Sequence, residues 1–112
     1  MAVYVDPLFE WAGPYRGDHA GQASAVGARN DHRWCHMFTD GEEDELHRFA
    51  AQIGMKRKWF QGDRDGGHYD LTPGKRRLAV ANGAKEVTQG EAVVIWRAQR
   101  VKLAQRSPVL RF

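Results

Sequence analysis

Residues 68–76, His-Tyr-Asp-Leu-Thr-Pro-Gly-Lys-Arg, hold a dense set of side chains that can do chemistry. Thr72 and Pro73 predict a helix start, because a threonine hydroxyl accepts a first-turn N–H and proline fits the first helical position. Lys75 and Arg76 then lie in the first turn, where exposed N–H groups and the helix dipole favour anions. The stretch therefore predicts an anion site, most simply for phosphate; the alternative is that both cations point into water.

Strand alternation divides the residues that precede this helix between two faces. His68 and Asp70 share one face and Tyr69 lies on the other. An imidazole beside a carboxylate is suited to general acid–base chemistry. Asp6 and His36 are of the same types, and each lies at or near the end of another predicted strand.

The elements that must position these residues repeat one pattern: a short extended run, a threonine, then a helix. The extended runs are residues 34–38, 68–71 and 84–87, followed by Thr39, Thr72 and Thr88. Glu follows Thr39 and Thr88 at the third position, which is typical of a capping box. The first of these helices has a clean apolar stripe from Leu46 to Ile53 and is closed by Gly54.

Strands that alternate with helices predict a small single-domain α/β fold in two or three layers, with a mainly parallel sheet built from three strand–Thr–helix units. In such a sheet, ligands bind at the carboxyl edge of the strands. We therefore expect one site there. Its predicted catalytic residues are His36, His68 and Asp70. Its predicted ligand-binding residues are Asp40, Tyr69, Thr72, Lys75 and Arg76. Asp6 and Asp70 are expected to orient the acid–base group or to hold a divalent metal ion.

At 112 residues the chain is expected to form one domain over residues 1–106, with a tail at 107–112. Residues 7–33 are predicted to form a long loop, either a lid or nucleic-acid contact or a spacer. Residues 89–106 are predicted to form a basic helix; because its apolar residues lie on both faces, a strand over residues 92–96 is the alternative. From residue 85 onward six basic side chains stand against two acidic ones, which suggests a nucleotide or nucleic-acid partner. A solvated basic helix is the alternative.

Several classes of protein are excluded by what the sequence lacks. No apolar run approaches a membrane span, and the N-terminal residues do not have the layout of a signal peptide. The single cysteine, Cys35, excludes an internal disulfide and favours a cytoplasmic location. The P-loop, dinucleotide-binding and nucleophile-elbow patterns do not occur. Cys35 and His36 are adjacent in a predicted strand, so they face opposite ways and a buried structural thiol is expected.

A set of short motifs recurs in a defined order along the first 88 residues. They are VYVD at 3–6, CHM at 35–37, ELH at 45–47, WFQ at 59–61, HYD at 68–70 and KR at 75–76. Together they resemble a small bacterial and bacteriophage domain family of unknown function. The resemblance supports the choice of site residues and implies no reaction.

Two hypotheses follow. In the first, the protein binds a phosphate-bearing nucleotide or nucleic acid, either without or with its hydrolysis, and in the latter case His36 or His68 is the acid–base group. In the second, it is a non-enzymatic nucleic-acid- or protein-binding accessory factor that makes contacts through residues 7–33 and the basic C-terminal segment. A polar cluster that only stabilises the fold is a further alternative. The sequence leaves the substrate, the metal and the oligomeric state open.

Overall fold

The computed structural model describes residues 2–10, 33–62 and 66–105. Most of the predicted 7–33 loop and the predicted tail lie outside these residues. The strands are β1 (Val3–Val5), β2 (Phe9–Glu10), β3 (Arg33–Thr39), β4 (Tyr69–Leu71) and β5 (Lys85–Glu86). The helices are α1 (Glu43–Gln52), α2 (Pro73–Ala81) and α3 (Gln89–Gln105), with a 3₁₀ turn at Arg57–Trp59. The α/β fold class is confirmed.

Strand β3 is the centre of a mixed sheet whose order is β4-β3-β1-β5. Both β4 and β1 run antiparallel to β3, and β5 runs parallel to β1. The short strand β2 pairs with the beginning of β3 on the same edge as β1.

The prediction of a mainly parallel sheet is wrong: among the described strands only β1 and β5 form a parallel pair. The prediction treated every helix as a crossover between parallel neighbours. Instead, the chain after α1 passes through the 3₁₀ turn and a bridge between Gln61 and His68, and it re-enters the sheet as β4, antiparallel to β3. Helix N-termini therefore do not all meet at one edge.

The three strand–Thr–helix units are also not found as predicted, because only two of the threonines cap a helix. The hydroxyl of Thr72 accepts from the N–H of Lys75 at 3.1 Å. Thr88 and Glu91 form a reciprocal capping box, with N···O distances of 2.8 and 3.1 Å. Thr39 instead donates to the carbonyl of Ala2 at 2.8 Å, and α1 begins later without a side-chain cap.

One face of the sheet carries the hydrophobic core. Cys35 and Met37 of β3 and Tyr69 and Leu71 of β4 are fully buried there. They pack with apolar residues of α1 and α2, namely Leu46, Ala50, Ile53 and Ala79. Burial alternates along β4, where Asp70 lies between buried Tyr69 and Leu71, whereas β3 is buried on both faces except at Arg33 and the half-buried His36.

The opposite face lies beneath α3. The ring of Trp96 in α3 contacts those of His36 and Phe38 in β3, with centroids 5.4 and 5.0 Å away. Gln99, 7% exposed, donates to the carbonyl of Gly41 at 3.1 Å. The described residues therefore form three layers, with α1 and α2 on one side of the sheet and α3 on the other. Within the described residues, no helix combines the length and the apolar character needed to cross a membrane.

Candidate functional site

Asp6 and His36 face each other across the pairing of β1 with β3. The N–H of Asp6 donates to the carbonyl of His36 at 3.2 Å, and Asp6 Oδ1 accepts from the N–H of His36 at 2.6 Å. The second carboxylate oxygen lies 2.7 Å from His36 Nδ1. Because Asp6 is only 4% exposed and accepts from Nδ1–H, it fixes the imidazole tautomer and turns Nε2 away from itself.

A second imidazole and carboxylate lie across the other edge of β3. Asp70 of β4 stands directly opposite His36 in the antiparallel register. His68 Nε2 lies 3.3 Å from Asp70 Oδ1. Gln61, which bridges to His68, donates its amide to Asp70 Oδ2 at 2.5 Å. The Asp70 carboxylate is therefore held from two sides.

These two pairs converge into one group, which we call the His–Asp cluster (Asp6, His36, His68 and Asp70). The rings of His36 and His68 meet edge-on, with centroids 4.8 Å apart and planes at 89°. One donor atom each from His36, His68 and Asp70 lies within 4.8 Å of the other two. The residues meet because antiparallel register places them on one face, and not because they end parallel strands.

The carboxyl group of Asp70 is electrostatically suited to remain ionised. Burial by itself disfavours the charged form, but hydrogen bonds from His68 and Gln61 and the nearby charges of His68 and His36 outweigh it. The pKa of Asp70 is therefore lowered from its ordinary value. An ionised carboxylate beside two imidazoles can accept protons or bind a cation.

Two aromatic side chains flank the cluster. The ring of Phe9 stacks on His36 with centroids 5.2 Å apart, and Phe9 is 41% exposed. Trp96 meets the same imidazole edge-on from α3. The side chains of His36, His68 and Asp70 remain 26, 19 and 19% exposed, so the cluster is partly accessible to solvent.

Two of the predicted ligand-binding residues have other contacts. Tyr69 is fully buried on the core face, where its hydroxyl lies 2.7 Å from His47 Nδ1. Asp40 accepts from the N–H of Ala2 and from the hydroxyl of Tyr4, both at 2.8 Å. The structure therefore does not bring Tyr69 or Asp40 into the cluster.

The predicted phosphate-binding cations also take part in the packing of α2. Lys75 Nζ donates to the carbonyl of Ile53 at the end of α1, at 2.6 Å. Arg76 donates to the carbonyl of Asp6 at 3.0 Å and to Glu86 at 2.8 Å. Arg76 thus reaches the cluster only through the main chain of Asp6, and the Thr72 hydroxyl is engaged as a cap.

Sequence reasoning missed three side chains that shape the site: Gln61, Phe9 and Trp96. The glycines between residues 62 and 67 gave one usable signal, because a glycine-rich turn flanked by extended residues predicts a hairpin that sets Gln61 opposite His68. The positions of Phe9 and Trp96 depend on how β2 and α3 pack, and the sequence pattern carries no such information.

Cys35 is excluded as a nucleophile at this site. It is fully buried on the core face, away from the cluster. Burial, together with the carboxylates of Asp6 and Asp70, raises its pKa to about 12 against a partial opposing effect of Arg76. A thiol with that pKa is protonated at neutral pH.

The cluster also holds the donors a metal ion needs. In the described part of the chain, His36, His68 and Asp70 form the group whose imidazole and carboxylate atoms converge closely enough to share one ion. Asp6 is occupied with His36 through both oxygens, so it supports the site and does not enter the donor group.

The chain belongs to the family described as protein of unknown function (DUF4031), whose model matches residues 23–99. The predicted membership in a family of unknown function is thereby confirmed. The match includes His36, His68 and Asp70 and extends beyond the predicted limit at residue 88 into α3. No curated protein and no solved structure matches the chain.

Proposed function

We propose that this protein is a hydrolase that acts on a phosphate-bearing substrate, a nucleotide or nucleic acid, at the His–Asp cluster. One observation carries the proposal: two imidazoles and two carboxylates, distant in sequence, converge on one partly open face of the sheet. Groups that only stabilised the fold would not need this accessibility.

The hydrogen bond between Asp6 and His36 determines which ring nitrogen of His36 takes part in the reaction. It assigns the Nδ1 proton to the Asp6 side, so chemistry at His36 occurs at Nε2. At Nε2 the imidazole would either take the proton of the attacking water or, as a ligand, hold a metal ion that activates that water. His68, which pairs with Asp70 at 3.3 Å and meets the ring of His36, would protonate the leaving oxygen or share that ion.

The surroundings of the cluster support a substrate with a nucleobase. Phe9 and Trp96 offer aromatic surfaces beside the reacting groups, and bases stack on such rings. Helix α3, which carries Trp96, also exposes Arg97 and Arg100 to solvent. Cations on that helix favour the approach of a polyanion.

Hydrolysis of a substrate panel tests this proposal. The panel contains nucleoside mono- and triphosphates, single- and double-stranded DNA and RNA, and a chromogenic phosphodiester, each with and without divalent ions. We expect wild-type turnover of at least one of these and a loss of about 100-fold or more in His68→Ala, the size of a general acid–base contribution.

The matched control is Asp44→Asn, an exposed carboxylate in the first turn of α1 on the other side of the sheet. It should retain wild-type turnover, and both variants should keep the wild-type circular dichroism spectrum and cooperative unfolding. Full activity in a folded His68→Ala protein contradicts the proposal, as does the absence of turnover across the whole panel.

A non-enzymatic nucleic-acid-binding role is the second candidate, favoured by the cations of α3. In that case affinity falls steeply with salt, Arg97→Gln weakens binding, and His68→Ala leaves it unchanged. Point substitution is preferable to truncation after Thr88, because loss of α3 would also uncover His36 and Phe38.

A further inference from the structure

We propose that His36, His68 and Asp70 bind one divalent transition-metal ion, and that Asp6 and Gln61 position two of these three ligands. The catalytic meaning of the ion rests on the proposed hydrolase function, whereas its binding does not. The ligand set differs from the sequence expectation, which assigned a metal to Asp6 and Asp70.

The chemistry of the donors selects the class of ion. Two imidazole nitrogens and one carboxylate oxygen suit Zn²⁺, Co²⁺, Mn²⁺ or Fe²⁺, whereas Ca²⁺ and Mg²⁺ prefer oxygen ligands throughout. Three protein ligands leave at least one coordination position for water or substrate, which is the arrangement of catalytic zinc sites.

The hydrogen bonds behind the ligands have the form that metal sites require. A histidine that binds a metal ion through one ring nitrogen usually donates a hydrogen bond from its other ring N–H, often to a carboxylate. This bond fixes the tautomer and the ring orientation. Asp6 Oδ2 accepts in this way from His36 Nδ1 at 2.7 Å, so Nε2 is the ring nitrogen that would bind an ion, and the His36 ring meets that of His68 with centroids 4.8 Å apart. Gln61 does the equivalent for Asp70: it takes Oδ2 and leaves Oδ1 beside His68.

The distances are compatible with one ion after a small side-chain movement. Ligands bound tetrahedrally at about 2.1 Å from zinc lie about 3.4 Å from one another. His68 Nε2 and Asp70 Oδ1 are already 3.3 Å apart, and the full set of donors lies within 4.8 Å. Binding of one ion would require small movements of these side chains to bring all the donors from within 4.8 Å to about 3.4 Å of one another, and His36 and Asp70 already stand opposite each other on adjacent strands.

The other histidine of the described residues provides an internal contrast. Both ring nitrogens of His47 are engaged, Nδ1 with the buried hydroxyl of Tyr69 at 2.7 Å and Nε2 with Glu43 at 3.0 Å. A metal ion there would have to break one of these contacts, so His47 is not expected to bind one.

Metal binding is tested on the full chain without a polyhistidine tag, after treatment with chelator. Zn²⁺ is titrated by calorimetry, and Co²⁺ by its visible absorption, which reports coordination geometry. We expect one ion per chain. Affinity should fall at least 100-fold in His36→Ala, His68→Ala and Asp70→Asn, and 10- to 100-fold in Asp6→Asn with an altered Co²⁺ spectrum.

Asp44→Asn serves as the matched control and should bind with wild-type affinity, and unfolding curves establish that each variant is folded. Absence of saturable Zn²⁺ and Co²⁺ binding overturns the proposal, as does binding that folded His36→Ala and His68→Ala variants retain. Binding of one ion per chain without turnover of any substrate supports the metal site and contradicts the hydrolase function. Turnover that persists in excess chelator, with no ion bound, supports the hydrolase function and overturns the catalytic role of the ion.

Discussion

Asp6 is the residue on which the geometry of the site most depends. Its carboxylate binds both the main-chain N–H and the imidazole of His36, while its carbonyl accepts from Arg76. One nearly buried residue thus joins the end of β1 to the middle of β3 through its side chain and to helix α2 through its main-chain carbonyl. The sequence suggested a carboxylate at a strand end, but the bond to His36 becomes visible only once β1 and β3 are paired.

Because of Asp40, the free energy of unfolding should decrease as the pH becomes acidic. Burial opposes its ionisation, but hydrogen bonds from the Ala2 N–H and the Tyr4 hydroxyl outweigh this and lower the pKa of Asp40. A carboxyl group whose pKa is lowered by folding stabilises the protein at pH values above its ordinary pKa. This contribution to the free energy of unfolding is lost as the pH falls through the pKa of the folded state.

The measurement compares chemical unfolding of the wild type and Asp40→Asn from pH 7 down to about pH 3. We expect the variant to be less stable at neutral pH and the difference to shrink on acidification. An equal difference at every pH would show that Asp40 acts without its charge.

Cys35 should be unreactive in the folded protein. It has no exposed surface, and burial raises its pKa to about 12. A disulfide reagent such as Ellman's should therefore label native protein at neutral pH no faster than the protein unfolds, and should label it at once in denaturant. Rapid labelling of the native state would contradict the described packing of β3.

Among the helices and strands, the start of α2 shows that side chains can lie where the sequence predicts and still make contacts other than the predicted ones. Thr72 and Pro73 start the helix as predicted. Lys75 and Arg76 lie in its first turn, yet their long side chains reach the end of α1 and the β1–β5 edge. Sequence spacing locates a side chain on a helix, but its partner depends on which elements pack nearby.

Lys75→Met tests whether that lysine is structural. It removes the hydrogen bond to the carbonyl of Ile53 and preserves most of the aliphatic stem, so we expect a loss of about 1–2 kcal/mol in the free energy of unfolding. Turnover and nucleotide affinity should be unchanged, with Arg77→Met as the control for an exposed cation on the same helix. A large fall in affinity for phosphate-bearing ligands, at unchanged stability, would restore the ligand-binding role.

The local structure of the helices and strands could be predicted from the sequence, whereas their relative directions could not. Strand β3 and helices α1, α2 and α3 follow from alternation, capping residues and the glycines that close α1 and α2, Gly54 and Gly83, both at positive φ. Strand direction does not follow, because a strand–helix–strand order fits a parallel crossover as well as a return to the opposite direction. The direction of β4 depends on the 3₁₀ turn and the Gln61–His68 bridge that precede it. Both are too short to show a periodic hydrophobic pattern in the sequence.

At the scale of the whole molecule, the sheet separates two kinds of environment. Its core face is apolar and holds α1 and α2, whereas its other face holds the His–Asp cluster beneath α3. Alternation along β4 predicted that His68 and Asp70 would turn away from Tyr69, and the side-chain positions agree. The four members of the cluster are among the predicted site residues, but the prediction also included Asp40 and Tyr69, which lie elsewhere, and the flanking rings depend on the placement of α3 and β2.

Nuclear magnetic resonance of ¹⁵N-labelled histidines tests most directly whether the His–Asp cluster is the ligand site. The folded full chain is titrated with a non-hydrolysable nucleoside triphosphate analogue and a short single-stranded oligonucleotide, and the ring signals are assigned by single His→Gln variants. We predict that the ring signals of His36 and His68 shift together with one saturation curve, while those of His47 stay in place. Saturable binding that leaves both His36 and His68 unmoved would contradict the account.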